Sequence, residues 1–489
     1  MPSKNLKRKI LIKRILVNVF MVFSICVLVT VITFFMLGFR FDSNKGNIEQ
    51  NAFLQFSSTP SGATVSIDGT VIGSKTSSKS SVQAGTHTIV MWRDGYQTWQ
   101  KTITVKSGTL TWLNYTLLTP KKLTVEPVAT YKTIHSSLAS SKGNYILIQP
   151  QLNVPSFKLI DISSDNIASK DITIPTNVYS DPLTVGITHT FNIERWDDSE
   201  RYAIIKHSYG DKVEWIVIDT QDVNQTKNVT KTFNIPIDKV TFSSDSGNGL
   251  YVLSGGDIRK LDLNAGTISK PLVSSVTDFD FYNDSKVITY VGNGKTGTDE
   301  KVVGLFRDGD TKSAVLRTVK VGATIPLHIA TTHYFNENYV AISEGKKVDI
   351  LSGSYPNTTS DNANSLKVIS SFNTTQDVLS LSFSPKGEYV FAQSGANFSS
   401  YDLEYQKLAT SSVSSVAEIS PLQWIDEYHV WSDAGGILSI REFDGANAET
   451  INPVLTGQAV ALTNNGRFLY SVNKSNAVYQ LQRVRMILP

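Results

Sequence analysis

One uninterrupted apolar run, Ile15 to Phe39, constrains this chain more than any other stretch. It holds 25 residues without a charge, which as a helix would span roughly 37 Å, against about 30 Å for the hydrocarbon core of a bilayer. Polar residues inside it, such as Ser24 and Thr30, are able to return hydrogen bonds to their own helix backbone. We therefore predict a transmembrane helix at residues 15–39 that contacts the lipid bilayer.

The residues before this run predict its orientation. Residues 1–14 contain no acid and six basic residues: Lys4, Lys7, Arg8, Lys9, Lys13 and Arg14. Because basic residues beside a span stay cytoplasmic, the tail is predicted inside the cell and the bulk of the chain outside. The alternative, a cleaved secretory signal, needs a shorter apolar region and small residues at its cleavage site. Here bulky Phe39 and Phe41 follow, which favours a retained single-pass anchor in the cell membrane.

The formal net charge of +3 comes from this tail. Six of the 46 Lys and Arg lie there, and the other 40 are outnumbered by 43 Asp and Glu. Nucleic-acid binding therefore loses its main electrostatic support. The single cysteine, Cys26, lies inside the apolar run, so the outer region has no disulfide. A large outer region without disulfides is typical of a bacterial exterior.

The chain beyond the anchor is mainly β, since short apolar runs alternate with Gly, Asn, Asp and Ser. A polar spacer is expected at residues 40–52. Residues 53–119 then read as short strands joined by tight turns, of which Asp68-Gly69 and Asp94-Gly95 are the clearest because glycine takes positive φ without strain. We predict a small antiparallel β-sandwich there.

Several elements of this segment together resemble a PEGA domain: Pro60-Ser61-Gly62-Ala63, Val65, Ile67, Asp68-Gly69, Gly73, Ala84-Gly85, His87 and Gly95-Tyr96. Ser61 replaces the glutamate of the family's name, and Lys75-Thr76 stands where members often have Thr-Pro. Neither departure removes a glycine that a turn requires. The resemblance implies an envelope or surface module that binds polysaccharide or protein, and it implies no catalytic residue.

Aromatic residues in this domain suggest a surface for stacking on sugar rings. Trp99 shares a strand face with Ile103 and Val105, so we expect it in the core. Trp92 and Trp112 are the better candidates for ligand stacking, although packing is the simpler explanation for both.

Residues 128–489, after a linker at 120–127, contain a repeat. Its tight turns fall near Gly143, Ser199, Gly247, Asp284, Asn338, Gly387, Glu427 and Gly466. The mean spacing of about 46 residues matches the four-stranded blades of β-propellers. The third strand of a unit often carries an aspartate: Asp161, Asp219, Asp262, Asp349 and Asp402.

These units resemble WD40-like or quinoprotein-like propellers at the level of fold, which carries no activity. We predict a β-propeller of eight blades, or seven if one unit is split. Too few residues follow Leu481 for another hairpin. A strand from about Leu123 to Thr133 is therefore expected to complete the last blade and close the ring.

Residues with catalytic or metal-binding chemistry are sparse, and we predict no catalytic, cofactor or metal site. His328 and His333 approach a ligand spacing, but on a strand they point to opposite faces. The carboxylate pairs Asp197-Asp198 and Asp278 with Asp280 are candidates for glycoside chemistry. A solvated turn and a polar strand face are the simpler explanations.

The sequence thus favours a membrane-anchored extracytoplasmic binding or scaffold protein of the bacterial envelope, which engages cell-wall polysaccharide or envelope proteins. The alternative is a propeller-type envelope hydrolase, a glycosidase or peptidase. That function requires acids or a nucleophile converging at the mouth of the propeller channel.

Overall fold

The computed structural model describes residues 4–36, 38–42, 47–181, 183–243, 247–294, 299–320, 325–356, 366–413 and 420–489. The chain forms two compact units. The smaller comprises Met1–Lys122 and Ile487–Pro489, and the larger comprises Leu123–Met486.

Helix α1, Lys4–Met36, contains the predicted membrane segment. It begins inside the basic tail, since Lys, Arg and Leu favour helix. It ends before Gly38, which has a φ of 82°, and glycine in this left-handed conformation commonly follows the end of a helix. Phe39 already belongs to a strand. The part Ile12–Met36 is long and apolar enough to cross a membrane. Three of its hydroxyl groups donate to the carbonyl four residues earlier at 2.8 to 2.9 Å: those of Ser24, Thr30 and Thr33.

A hairpin and seven further strands complete the small unit. The hairpin occupies part of the predicted spacer and consists of β1 (Phe39–Asp42) and β2 (Asn47–Gln50). The seven strands are β3 (Ala52–Thr59), β4 (Thr64–Ile67), β5 (Thr70–Lys75), β6 (Ser78–Val82), β7 (Gly85–Trp92), β8 (Trp99–Val105) and β9 (Leu110–Leu117). They form two sheets, ordered β6-β3-β9 and β5-β4-β7-β8.

The two sheets pack as a sandwich around a core that includes Leu54, Phe56, Ile89 and Met91. Trp99 is buried as predicted, and its ring lies 6.2 Å from that of Tyr115 in the other sheet. One pairing differs from the expected antiparallel pattern. Strands β3 and β9 run parallel, because the first and last strands of the domain lie side by side and point the same way.

The predicted Asp-Gly turn between β4 and β5 has a simple backbone explanation. Asp68 and Gly69 both take positive φ, 50° and 81°. This pair of conformations suits a two-residue hairpin turn, and glycine adopts it at little cost.

The large unit begins with β10 (Val125–Tyr131). Seven four-stranded sheets follow in chain order: blade 1, β11–β14 (Ser136–Ala139, Tyr145–Gln149, Ser156–Asp161, Ala168–Thr173); blade 2, β15–β18 (His189–Trp196, Tyr202–Tyr209, Lys212–Asp219, Lys227–Asn228); blade 3, β19–β22 (Lys239–Phe242, Gly249–Ser254, Asp257–Asp262, Thr267–Ile268); blade 4, β23–β26 (Val276–Tyr282, Val287–Asn293, Glu300–Arg307, Ala314–Lys320); blade 5, β27–β30 (Leu327–Tyr334, Glu337–Glu344, Lys347–Gly353, Leu366–Asn373); blade 6, β31–β34 (Ser380–Phe383, Tyr389–Ser394, Asn397–Asp402, Lys407–Ser412); and blade 7, β35–β38 (Gln423–Trp424, His429–Ser432, Ile437–Glu442, Glu449–Pro453). Helix α2 (Val229–Phe233) lies between blades 2 and 3.

Blade 8 joins the two ends of the ring. It contains β39 (Val460–Leu462), β40 (Phe468–Ser475) and β41 (Val478–Arg485), with β10 as its fourth strand. The described residues thus form eight blades, and the predicted closing strand is confirmed. Strand β10 begins at Val125, inside the range 120–127 that the sequence suggested as a linker.

Polar contacts and a shared hydrophobic core stabilise the closure of the ring between blades 8 and 1. Arg483 Nε donates to Glu126 Oε2 at 2.8 Å, which ties β41 to β10. Arg467 pairs with Asp165 of blade 1 at 2.8 Å. A hydrophobic core then spans blades 1 and 8, with Leu481 fully buried in it.

The apolar runs in the sequence arise from the middle strands. Four consecutive residues are buried in each of β12, β24 and β28, and three in β16. Both faces of these strands are covered by neighbouring blades, so the alternation expected of a half-exposed strand is lost.

The recurring aspartates hold the turn after the third strand. Asp219 accepts from the backbone N–H groups of Gln221 and Asp222, and Asp262 does the same for the residues that follow it. Such side-chain acceptors stabilise tight turns. Asp349 differs, because it lies inside β29 and pairs with Arg317.

Candidate functional site

A cavity of about 460 Å³, which we call the channel mouth, opens at the end of the propeller where first strands turn into second strands. Its lining includes Lys142 of blade 1, Arg195 of blade 2, Thr241 of blade 3, Phe281 of blade 4 and Pro385 of blade 6. In a ring of eight blades, blades 2 and 6 lie on opposite sides. The cavity therefore lies on the axis of the propeller.

Arg195 ties together the wall of the channel mouth. Its Nη1 donates to Thr241 Oγ1 at 2.8 Å and to Asp280 Oδ1 at 3.0 Å. These contacts join the first strands of blades 2, 3 and 4. A bulge between Ile193 and Arg195 interrupts the pairing of β15 with β16, and such bulges re-aim the side chain that follows.

The rim is built from turns and carries both signs of charge. Asn283 Nδ2 donates to Asp198 Oδ2 at 2.9 Å, which joins the turns of blades 4 and 2. The side chains of Lys142, Asp198 and Asp284 are exposed there. The rim therefore offers a cation, carboxylates and an amide to a ligand.

Tyr282, beside Phe281, adds a neutral polar group to this aromatic part of the wall. Burial raises the pKa of its phenol, with the carboxylates of Asp280 and Asp284 acting in the same direction. The phenol therefore stays protonated at neutral pH and serves as a hydrogen-bonding group with an apolar ring.

Asp197 is not the solvated turn residue that the sequence suggested. Its side chain is 1% exposed and accepts from the backbone N–H groups of Arg201 at 3.0 Å and Tyr202 at 2.8 Å, as well as from the hydroxyl of Ser199. Burial raises the pKa of this carboxyl, although these donors oppose the shift. Asp197 therefore stabilises the turn through these hydrogen bonds, while exposed Asp198 accepts from Asn283.

Asp278 and Asp280 form the polar face of β23, as expected from their alternation with buried Phe279. Lys239 Nζ contacts Asp278 Oδ1 at 2.7 Å, and Arg195 holds Asp280. Each carboxylate therefore has a cationic partner on the first strand of another blade.

The two histidines with a ligand-like spacing are engaged separately. His328 Nε2 bonds to the carbonyl of Val378 at 3.0 Å, and His333 Nδ1 bonds to Asn338 Oδ1 at 3.0 Å. Within the described part of the chain, no three His, Cys, Asp or Glu residues are grouped to hold a metal ion.

The two tryptophans proposed for ligand stacking lie in different sheets of the small unit. Trp112 of β9 is 43% exposed, whereas Trp92 at the end of β7 is half-buried. Each alternates with buried neighbours, Leu113 and Met91, so they face outward from opposite sheets. They do not form one platform, and each is a separate candidate.

Sequence reasoning did not identify Arg195, Phe281 or Tyr282 as site residues. A usable signal was present, since Arg195, Lys239 and Asp278 are charged residues in the first strands of consecutive repeats. Residues at that position face the channel of a propeller.

Comparison with protein families gives a match for the small unit. Residues 53–120 match the PEGA domain, so the small unit contains a PEGA domain. No curated protein sequence matches the chain.

Three of the solved structures that are similar to the chain are distant from it in sequence. An oligogalacturonate lyase in complex with manganese has 10% identity and a TM-score of 0.42, covering 75% of this chain and 98% of its own. The yeast Nup82-Nup159-Nup116 nucleoporin complex has 12% identity and a TM-score of 0.42, covering 65% and 97%. A mitotic checkpoint complex has 12% identity and a TM-score of 0.37, covering 75% and 92%. The described helix and sheets and the PEGA match together give a chain with an N-terminal apolar helix, a PEGA domain and a β-propeller.

Proposed function

We propose that the protein is a single-pass, membrane-anchored binding or scaffold protein of the bacterial cell envelope, with its N-terminus in the cytoplasm. The basic residues before α1 support this orientation. The PEGA domain and the propeller then lie outside the cytoplasm, where their partner is cell-wall polysaccharide or an envelope protein.

The observation that carries this proposal is the channel mouth. It gathers a cation, carboxylates, an amide and aromatic rings from several blades of one ring into a cavity of about 460 Å³. Concave sites of this kind, positioned by a rigid scaffold, are common places for binding.

Binding is favoured over hydrolysis by the state of the nearby carboxylates. Asp197 accepts from the N–H groups of its own turn, Asp280 is paired with Arg195, and Asp198 accepts from Asn283, while Asp284 is exposed. A glycosidase needs one carboxyl as an acid and another as a base or nucleophile. Carboxylates held by turn donors and cations are better suited to recognition.

Site-specific crosslinking in intact cells tests the proposal. A photoreactive benzophenone amino acid replaces Asp284 at the mouth in one variant of the full chain. In a matched control it replaces Ser169, which is exposed on the outer strand β14 of blade 1. We expect crosslinks to a defined envelope protein or wall glycan from position 284 and none from position 169.

Equal crosslinking from both positions would contradict a binding role for the mouth. Titration of the full chain with purified wall glycans separates the two partner classes, because failure with every glycan leaves the protein-scaffold version. Glycan or peptide cleavage that is lost in Arg195→Gln would instead favour the hydrolase.

A further inference from the structure

Three buried titratable side chains of blade 2 and one partly exposed aspartate form a chain of polar contacts beside the junction with blade 1. His207 is fully buried; its Nδ1 lies 2.7 Å from Glu214 Oε1 and its Nε2 lies 3.0 Å from His189 Nδ1. His189 Nε2 in turn lies 3.4 Å from Oδ1 of Asp181, in the segment that joins the two blades. None of these residues contributes to the channel mouth.

Glu214 is held as a carboxylate, and this sets which atoms donate and which accept in the hydrogen bonds between these side chains. Burial raises its pKa, but donors from His207, Ser180 and Asn228 outweigh burial and lower the pKa to about 2. Ser180 Oγ donates at 2.6 Å and Asn228 Nδ2 at 2.7 Å. A lone pair on His207 Nδ1 would face this anion, so that nitrogen must carry the proton and donate.

The tautomers of both histidines follow from this constraint. Since neutral His207 donates from Nδ1, its Nε2 is an acceptor and takes the proton of His189 Nδ1. His189 Nε2 is then left with a lone pair that faces the carboxylate of Asp181. This nitrogen is buried and has no hydrogen-bond partner among the residues that the structure describes, which is costly for a buried polar atom.

The surroundings of the pair are anionic. Asp181 and Tyr179 face it from the segment between the blades, Tyr209 from β16, and Glu214 from β17. The hydrogen bond from the backbone N–H of Thr184 lowers the pKa of Asp181, so this carboxylate is also charged at neutral pH. The described contacts of the two imidazoles include these two carboxylates and no cationic side chain.

We propose that Nε2 of His189 is a proton-binding site, and that the proton taken up on mild acidification joins His189 to Asp181 and completes the hydrogen-bonded chain. The added N–H donates to the Asp181 carboxylate, and the imidazolium reduces the charge of the cluster from two negative to one. The junction between blades 1 and 2 is then held more firmly in acid than in alkali.

Hydrogen exchange of the full chain in detergent micelles tests this site. The peptide covering residues 179–190 contains the amides of Ser180 and Thr184, which donate to Glu214 and Asp181. After correction for the intrinsic pH dependence of exchange, we expect it to exchange at least about threefold more slowly near pH 6 than near pH 8. Other peptides of blade 2 provide the internal reference.

Two variants separate the proton from a merely structural contact. Asp181→Asn removes the negative charge with which the added N–H would pair. Because Asp181 Oδ1 faces both His189 Nε2 and the Thr184 N–H, the asparagine cannot donate to the first and accept from the second with that atom, so the pH response should be reduced. His189→Gln cannot take up the proton and should lose the response. Asp211→Asn, at an exposed turn of the same blade, should respond like the wild type.

Three results would overturn the proposal. One is wild-type protection that does not change with pH, and another is an unchanged response in Asp181→Asn. The third is a response that requires added Zn²⁺ and disappears with a chelator, which would assign the site to a metal ion instead of a proton.

Discussion

Glu388 in blade 6 makes the stability of the propeller depend on pH. This carboxyl is half-buried beside Tyr389, whose hydroxyl donates to it at 2.8 Å. Burial raises its pKa to about 7, and the charges of Asp402, Glu404 and Glu427 add to that effect although the tyrosine opposes it. The folded state therefore holds a proton that the unfolded chain releases at lower pH.

The sign and size of the effect follow from this shift. Because the folded pKa lies above the unfolded value of 4.5, the stabilisation is complete below about pH 4.5 and is lost as the pH rises through 7. At about 1.4 kcal/mol per pH unit the full shift corresponds to about 3.4 kcal/mol. Partial exposure to solvent reduces this, and we expect a loss of about 1–2 kcal/mol.

The substitution Glu388→Gln isolates this contribution, since glutamine still accepts from Tyr389 and does not titrate. Urea unfolding of the full chain at about pH 5 and pH 8, followed by tryptophan fluorescence, should show the wild type losing about 1–2 kcal/mol more than the variant. Glu337→Gln, at an exposed strand end in blade 5, should behave like the wild type. Full pH dependence in Glu388→Gln, or wild-type stability that rises towards pH 8, would refute this role of Glu388.

Three further predictions concern closure, the PEGA domain and the mouth. Leu481→Ala empties part of the core shared by blades 8 and 1 and should cost about 2–5 kcal/mol in urea unfolding, whereas Leu408→Ala on exposed β34 should cost about 0.5 kcal/mol or less. In the His87–Asp68 pair, burial opposes protonation of His87, but bonds to Asp68 and Gln83 raise its pKa, while His87 lowers that of Asp68. The pair thus stabilises the domain most between about pH 4 and 6.5. In thermal melts, the melting temperature of His87→Gln should lack the increase that the pair gives the wild type in this pH range. Asp197→Ala leaves turn N–H groups unpaired and should lower unfolding free energy by about 1–3 kcal/mol.

Much of the fold was predictable because propeller blades repeat a local pattern. Turns near Gly387 and Gly466, and aspartates such as Asp219 that hold the following turn, leave a regular trace along the chain. Even the closing strand was predictable, since the last repeat lacks one strand and an unpaired strand precedes the first. The parallel pairing of β3 and β9 was not, because it depends on how two distant strands meet.

The candidate site was less predictable, because its residues come from separate blades. Arg195 acts through Thr241 and Asp280, which are far apart in sequence, and a bulge next to it changes the alternation that would have revealed its direction. The exposure of Asp197 was predicted wrongly for a related reason. A turn aspartate looks solvated in sequence, while neighbouring N–H groups and burial make it structural.

Cysteine labelling of intact cells tests the central claim, display of both domains outside the cytoplasm, most directly. Cys26 is the only cysteine in the sequence, so Cys26→Ser gives a background without thiols. On this background, Asp284→Cys places a thiol at the channel mouth and Ser3→Cys places one in the N-terminal tail. With a membrane-impermeant maleimide, we expect labelling at position 284 before lysis and at position 3 only after it. Labelling at position 3 with protection at position 284 in intact cells would contradict it.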